Sequence, residues 1–266
     1  MRKYIIFFIL ISVLLVLGCK SPPYNDITFT NGTNRETLSN KTLGWGFRRT
    51  ESGPEFTSGQ KELMNRYKCI YKENSDEKNI YLTFDEGYEN GYTGIILDVL
   101  RDKNVKAAFF VTAPYIKSNP DLIKRMAREG HIIGNHTVNH PSLPDVKDDK
   151  KLLEELFELD RLIYGICNRK SKYLRPPKGE YSERTLFLSL HAGYINVFWS
   201  QAYVDWDNKV SSDQAFRKIT SDLHPGCVLL LHAVSKGNAE ALGDVIDYAR
   251  KEGYTFKNLN QYKFKE

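Results

Sequence analysis

The sequence predicts an α/β fold, a parallel β-barrel built from fewer than eight strand–helix units. Three observations carry that prediction. From Asn79 onward, runs that read as strands alternate with runs at helical spacing, which calls for a parallel sheet, either closed or doubly wound. Polar residues able to do chemistry follow strand after strand, and barrel sites form at the C-terminal ends of strands. Neither GxGxxG nor GxxxxGK(S/T) follows the first strand, which counts against an open nucleotide-binding sheet.

The chain opens with Arg2 and Lys3 before an apolar stretch, Tyr4–Leu17. That stretch is short for a membrane span and fits the apolar region of an export signal. It ends Val16-Leu17-Gly18-Cys19, which resembles a bacterial lipoprotein cleavage site with Cys19 as the lipidated residue. An uncleaved anchor is the alternative, and both readings put the protein on the outer face of the cytoplasmic membrane or in the cell wall. Residues 1–19 are therefore read as signal peptide. Residues 20–42, rich in Asn, Thr, Ser and Pro, are read as a tether with a reach of roughly 25 Å. Residues 43–78 are an extension packing on the barrel, with a helix over Gln60–Tyr71, and residues 79–266 are the barrel domain.

Within that domain, Ile80–Phe84 is the first strand, and Tyr92–Lys103 is a helix with Ile95, Ile96, Val99 and Leu100 on one face. Lys106–Val111 is a strand, Pro120–Glu129 a helix, and His131–Gly134 a short strand. Asp148–Tyr164 is amphipathic, with Leu152, Leu156, Leu159 and Ile163 at helical spacing. Strands recur at Tyr173-Leu174, Tyr194–Trp199, Val228–Leu231 and Tyr254–Asn258; helices recur at Ser182–His191, Ser212–Leu223 and Ala239–Glu252.

Composition narrows the class. At 41% hydrophobic and 27% charged residues, the chain can bury a full core and is not disordered. The net charge of +5 comes without a Lys/Arg block interleaved with aromatics, so nucleic acid is not an expected partner. The 16 Tyr suit a carbohydrate cleft or a Tyr-rich core equally. The four cysteines, Cys19, Cys69, Cys167 and Cys227, form no CxxC, which excludes a cysteine zinc knuckle. With Cys19 consumed, three remain and one at least is a free thiol.

Five segments hold candidate chemistry. His136 and His140, four residues apart, share a face if the backbone makes a helical turn there, and two imidazoles can then grip one divalent cation. Asp85 and Glu86 follow the first strand. Adjacent carboxylates in extended chain point opposite ways, so they can serve different tasks. Arg175 precedes Pro176 and Pro177, which stiffen the backbone. Asp205-Trp206 follows another strand, and His232 closes the apolar run Leu229–Leu231. Taken singly, each has a plain structural reading: chance spacing, a solvated turn, a surface turn, or a satisfied core histidine.

Taken in order, the five resemble the motifs of the polysaccharide deacetylase family, which carries the NodB-type domain and is also called carbohydrate esterase family 4. They are Thr83-Phe84-Asp85-Glu86, His136-Thr137-Val138-Asn139-His140, Arg175-Pro176-Pro177-Lys178-Gly179, Val204-Asp205-Trp206 and Leu230-Leu231-His232. The resemblance covers about Asn79–Lys257. Trp45-Gly46-Phe47, the run from Thr83 to Thr93 and Tyr203–Trp206 are further similar to the muramic-acid deacetylases of spore formers. That branch deacetylates peptide-free N-acetylmuramic acid, whose freed amine closes on the lactyl carboxyl as the muramic δ-lactam of spore cortex.

The resemblance implies a distorted (β/α) barrel of about seven units and one divalent metal, Zn2+ with Co2+ or Mn2+ as alternatives. His136, His140 and Glu86 would bind that metal, Asp85 would be the general base held by Arg175, and His232, oriented by Asp205, the general acid. A backbone N–H near Lys178 would help the oxyanion, while Trp206 and Leu230 would line the acetyl pocket. The implied partners are a peptidoglycan strand, an N-acetylmuramoyl-L-alanine amidase that strips the peptide, and the membrane through the N-terminal lipid or anchor. Two positions depart from the family pattern. Glu86 replaces the usual Asp, which predicts looser metal binding, and Ala202 replaces a second Asp that the wider family often carries. A deacetylase of N-acetylglucosamine and a catalytically inactive wall-binding lipoprotein are the alternative readings.

Overall fold

The computed structural model describes residues 37–206 and 209–264. The signal peptide, Cys19 and most of the tether lie outside the described residues.

The long buried strand β4 (Asn79–Glu86) is the spine of the sheet. Before it come β1 (Leu43–Gly44), the hairpin β2 (Arg48–Thr50) with β3 (Gly53–Glu55), and α1 (Ser58–Arg66). After it the chain alternates through α2 (Thr93–Asp102), β5 (Ala108–Val111), α3 (Ala113–Ser118), α4 (Pro120–Arg128), β6 (Ile132–Asn135) and α5 (Asp149–Cys167). Then follow β7 (Tyr173–Leu174), β8 (Glu180–Tyr181), α6 (Glu183–His191), β9 (Ile195–Asn196), α7 (Ser212–Ser221), β10 (Cys227–His232), α8 (Lys236–Lys251) and β11 (Thr255–Lys257). The main sheet runs β10-β4-β5-β6-β7-β9, with β11 also on β4, and every pairing in it is parallel.

The sheet curls into a distorted, half-open barrel with helices outside, as the alternating pattern predicts. Irregular chain spans the gap. Ile70 bridges Val197, Lys72 bridges Cys227, and Gln201 bridges Leu229. Side-chain alternation sorts the two faces of β4. Ile80, Leu82 and Phe84 join the layer under the helices, whereas Tyr81 packs inward with Phe110, Tyr173, Val197 and Val228.

The predicted helix over Gln60–Tyr71 ends at Arg66, because Lys68 takes a positive φ of 49° and the chain turns to reach the barrel gap. The strand expected at Tyr194–Trp199 shortens to β9, its remainder becoming part of the closure. Helix α3 was not predicted; six residues give no readable period. Helix α5 matches its pattern, capped by Asp148 on the Lys151 amide and by left-handed Asn168.

The segment before α1 packs on the barrel. β1 pairs with β8, and Trp45 donates from its indole to the Trp199 carbonyl at 2.8 Å while stacking on Phe198 at 4.6 Å. At the opposite end, buried Glu73 accepts from Tyr81, Asn79 and the Lys263 amide. Cys69, Cys167 and Cys227 are all free thiols. Among the described residues no helix is long and apolar enough to cross a membrane.

Candidate active site

The five motifs meet at the C-terminal ends of the strands. Asp85 on β4 lies in register with His232 on β10, and Leu230 with Thr83 one step below. On the facing side, β6 runs into His136 and β7 into Arg175, tied by the Arg175 amide donating to the Asn135 carbonyl at 2.9 Å.

The two imidazoles converge, but not on a helical turn. Residues 136–140 form an irregular loop in which Thr137 and His140 take positive φ of 68° and 56°. Side chains hold that loop where a helix would have used its own backbone. The Asn135 carboxamide oxygen accepts from the Thr137 amide at 2.8 Å, and the Thr137 hydroxyl from the His140 amide at 3.0 Å. Glu155 on α5 accepts from both the backbone and side-chain nitrogens of Asn139.

The result is an Nε2–Nε2 separation of 3.2 Å between His136 and His140. His136 Nδ1 sits 2.8 Å from the Arg175 carbonyl, which can only accept, so Nδ1 carries the proton and Nε2 presents a lone pair. Burial pushes His136 down to about 4, keeping the ring neutral, and also lowers His140. Two ring nitrogens facing each other this closely need a proton or a cation between them. Tetrahedral ligation at the usual Zn–N length spaces two nitrogens about 3.3 Å apart, so the pair fits one such ion.

Asp85 borders that pair, its Oδ2 lying 3.6 Å from His136 Nε2. Its other oxygen is 3.5 Å from Arg175 Nη1. Arg175 is fully buried, with its guanidinium over the Phe110 ring at 4.5 Å and donating to Thr83 Oγ1 at 2.9 Å. Across the cleft, Asp205 accepts from His232 Nδ1 and from the His232 amide, both at 2.7 Å. Burial alone would lower the His232 pKa; the hydrogen bond and charge of Asp205, then the charge of Asp85, outweigh it, and the net direction is up.

Glu86 does not join the imidazoles. It is the last residue of extended β4, so its side chain leaves on the face opposite Asp85 and enters the helix layer. There both of its oxygens lack hydrogen-bond partners among the described residues, and burial, then the charges of Glu89 and Asp85, hold its pKa well above the usual range. Among the described residues no group of three or more His, Cys, Asp or Glu side chains is arranged to hold a metal ion. The expected three-ligand set is thus corrected to an imidazole pair with Asp85 at its edge.

Lys178 stands exposed in left-handed backbone, and its charge lowers the proton affinity of His140. Leu230 is buried on the inward face of β10. Trp206 is not enclosed; it is 55% exposed and meets the His232 ring edge-on at 5.2 Å. Two supporting residues were not foreseen. Asn238 on α8 donates to Asp205 Oδ2 at 2.5 Å and is itself bonded by Tyr203. Asn135 anchors the histidine loop, bonding α5 at Leu156 and Asp160. Asn135 adjoins a motif and could have been flagged; Asn238 has no such signal.

Known proteins resemble this chain in sequence and in fold. The polysaccharide deacetylase family profile matches residues 72–197. The chain is 43% identical over 236 residues to the peptidoglycan-N-acetylmuramic acid deacetylase PdaA of Bacillus subtilis, covering 87% of this chain and 89% of that protein. The solved structure of that Bacillus subtilis PdaA, described as a family 4 carbohydrate esterase, superposes with a TM-score of 0.82 over 85% of this chain and 98% of that one. A peptidoglycan-N-acetylglucosamine deacetylase of Bacillus cereus is 32% identical over 200 residues, covering 74% of this chain and 72% of that protein.

Proposed function

This chain belongs to the polysaccharide deacetylase family, and on that premise we propose that it removes the acetyl group from N-acetylmuramic acid in peptidoglycan, on the path to the muramic δ-lactam of spore cortex. The chain is a hydrolytic deacetylase of that family. The muramic substrate is supported by the 43% identity to a relative named for that activity.

One observation carries the chemistry: Asp85, paired with Arg175, borders the imidazole pair, and a second carboxylate, Asp205, holds His232 across the cleft. Family membership implies a metal-dependent reaction. His136 and His140 would hold the ion, Zn2+ before Co2+ or Mn2+, and it would supply Lewis acidity to the acetyl carbonyl and acidify water. Asp85 takes the proton of the attacking water. Arg175 holds Asp85 in place, itself clamped by Thr83 and Phe110. A backbone N–H at the Lys178 turn steadies the oxyanion. His232 delivers a proton to the departing amine, and Asp205 stabilises the imidazolium that donates it. Leu230 and Trp206 border the acetyl group. The freed amine lies beside the lactyl carboxyl and can close on it with loss of water.

The export signal and Cys19 lipid, outside the described residues, would hold the enzyme at the outer membrane face near its wall substrate. An amidase that strips the stem peptide would act first.

Purified peptidoglycan, with and without amidase stripping, provides the test. Acetate release and mass spectrometry of the muropeptides are followed with and without chelator. Chelator-sensitive loss of acetyl from muramic residues of the stripped glycan is expected. Deacetylated glucosamine alone would overturn the substrate assignment, and binding without acetate release would overturn catalysis.

A further inference from the structure

We infer that Trp199 is a positioning residue of the reaction: its indole seats the Arg175 guanidinium that holds Asp85, and Trp45, from the segment before α1, keeps that indole in place. The inference rests on Asp85 as the general base; which sugar loses its acetyl group does not enter it.

A guanidinium carries five N–H donors, and hydrogen bonds ordinarily fix its plane when it is buried. Arg175 is fully buried, yet its Nε and Nη1 have no hydrogen-bond partner among the described residues. Nη2 donates to Thr83 Oγ1 at 2.9 Å, and the Asp85 oxygen stands off at 3.5 Å. The plane is therefore set by what the group packs on. Two rings lie against it, Phe110 at 4.5 Å and Trp199 at 5.3 Å. Away from water such a contact is worth roughly 30-fold in an equilibrium, and indole is the strongest aromatic partner.

Trp199 has little freedom of its own. The edge of its ring passes against Gly179, where a Cβ would come within 2.8 Å of Trp199 Cη2 and 3.2 Å of Trp45 Cβ. Gly179 also has φ 67°, so that turn requires glycine on both counts. Trp45 closes the arrangement with two hydrogen bonds. Its indole N–H donates to the Trp199 carbonyl and its amide to the Gly179 carbonyl, both at 2.8 Å. Its ring is stacked between neighbours, on Phe198 at 4.6 Å and on Phe56 at 5.3 Å. A residue outside the barrel thus anchors the strip of chain that carries the Trp199 ring to Arg175.

The test is a double-mutant cycle on the full chain, followed as acetate release from amidase-stripped peptidoglycan. Thermal melts and calorimetric titration with Zn2+ run alongside. Trp199→Leu should lower kcat by about 30-fold with KM nearly unchanged, because the base is displaced while substrate contacts stay. Trp199→Phe, which keeps a ring, should recover most of that loss. Trp45→Phe, which keeps the stack but lacks the indole donor, should lower kcat by about fivefold. In an Arg175→Lys background, which has no planar group to seat, both losses should nearly vanish. Equal losses in the two backgrounds would mark ordinary packing and overturn the proposal. So would wild-type kcat in Trp199→Leu, or Zn2+ affinity falling in step with kcat, since the effect would then run through the imidazoles. If Trp199→Leu does not fold, the Trp45→Phe cycle decides. If Arg175→Lys is too slow to follow, the Arg175 Nε–H resonance in 15N-labelled protein decides: it should move in Trp45→Phe, and an unmoved resonance would overturn the proposal. Asp85→Asn at wild-type kcat would overturn the base assignment and this role with it, whereas an inactive Asp85→Asn beside additive tryptophan losses would overturn the positioning alone.

Discussion

His232 is tied to Asp205 through both its ring and its backbone, and Asn238 steadies the carboxylate. A positioned acid is worth about 100- to 10,000-fold, so His232→Ala should slow turnover by that range while metal affinity, measured by calorimetric titration, is retained. Asp205→Asn removes what raises the His232 pKa. A raised pKa keeps the ring protonated to higher pH, so the variant should lose its acid at lower pH. The basic limb of its kcat/KM profile should move toward acid; an unmoved limb would take Asp205 out of that role. Glu86 yields the opposite expectation. Its carboxyl is turned from the imidazoles, so Glu86→Gln should leave metal affinity close to wild type while His136→Ala abolishes it. Strand alternation at Asp85-Glu86 was legible in the sequence, since neighbouring side chains in extended chain diverge. The family resemblance assigned Glu86 to the metal, and the divergence sends it into the helix layer instead. Asn238 was not legible, because its partner is 33 residues away in sequence.

At the scale of the element, the strands place the site through close contacts that permit little substitution. Gly134 on β6 sits in register with Phe110 on β5, and a Cβ there would come within 2.4 Å of the Phe110 ring. That ring is the platform beneath the Arg175 guanidinium. Gly134→Ala should therefore cost about 1–3 kcal/mol by overpacking and also lower kcat, because a displaced Phe110 moves the clamp on Asp85. Thermal melts and kinetics read the two effects; lost stability with unchanged kcat would separate Phe110 from the site. Long elements such as α5 and β4 could be read because periodicity accumulates over many residues. The loop at 136–140 could not. HxxxH suggested a helical turn, yet two left-handed residues and bonds from Asn135 and Glu155 converge the rings without one.

For the whole molecule, alternating strands and helices announced a barrel, but the manner of closure was hidden. Single bridges from Ile70, Lys72 and Gln201 leave no periodic trace, and they pair residues remote in sequence. The same closed interior makes the fold sensitive to acid. His131, fully buried under Phe109, has its pKa pushed down to about 4, chiefly by burial, and His136 is lowered likewise. In the unfolded chain both titrate near the ordinary 6.5. The unfolded state therefore binds protons first as pH falls. The stability these rings contribute is present above about 6.5 and is lost progressively as pH drops toward 4. For His131 the loss is on the order of 3 kcal/mol. His232 works in the other direction, because its raised pKa stabilises the fold below the ordinary value and that contribution fades as pH rises through the folded pKa. The raised carboxyl of Glu86 opposes them as well, but His140 and His224 are lowered with His131 and His136, so four rings stand against two groups and the melting temperature of chelator-treated protein should fall between pH 6.5 and 4. His131→Gln should flatten that fall by about one proton's worth, since the carboxamide oxygen can still accept from the Ala107 amide but does not titrate. A variant that melts along the wild-type pH curve would show that acid enters the fold elsewhere.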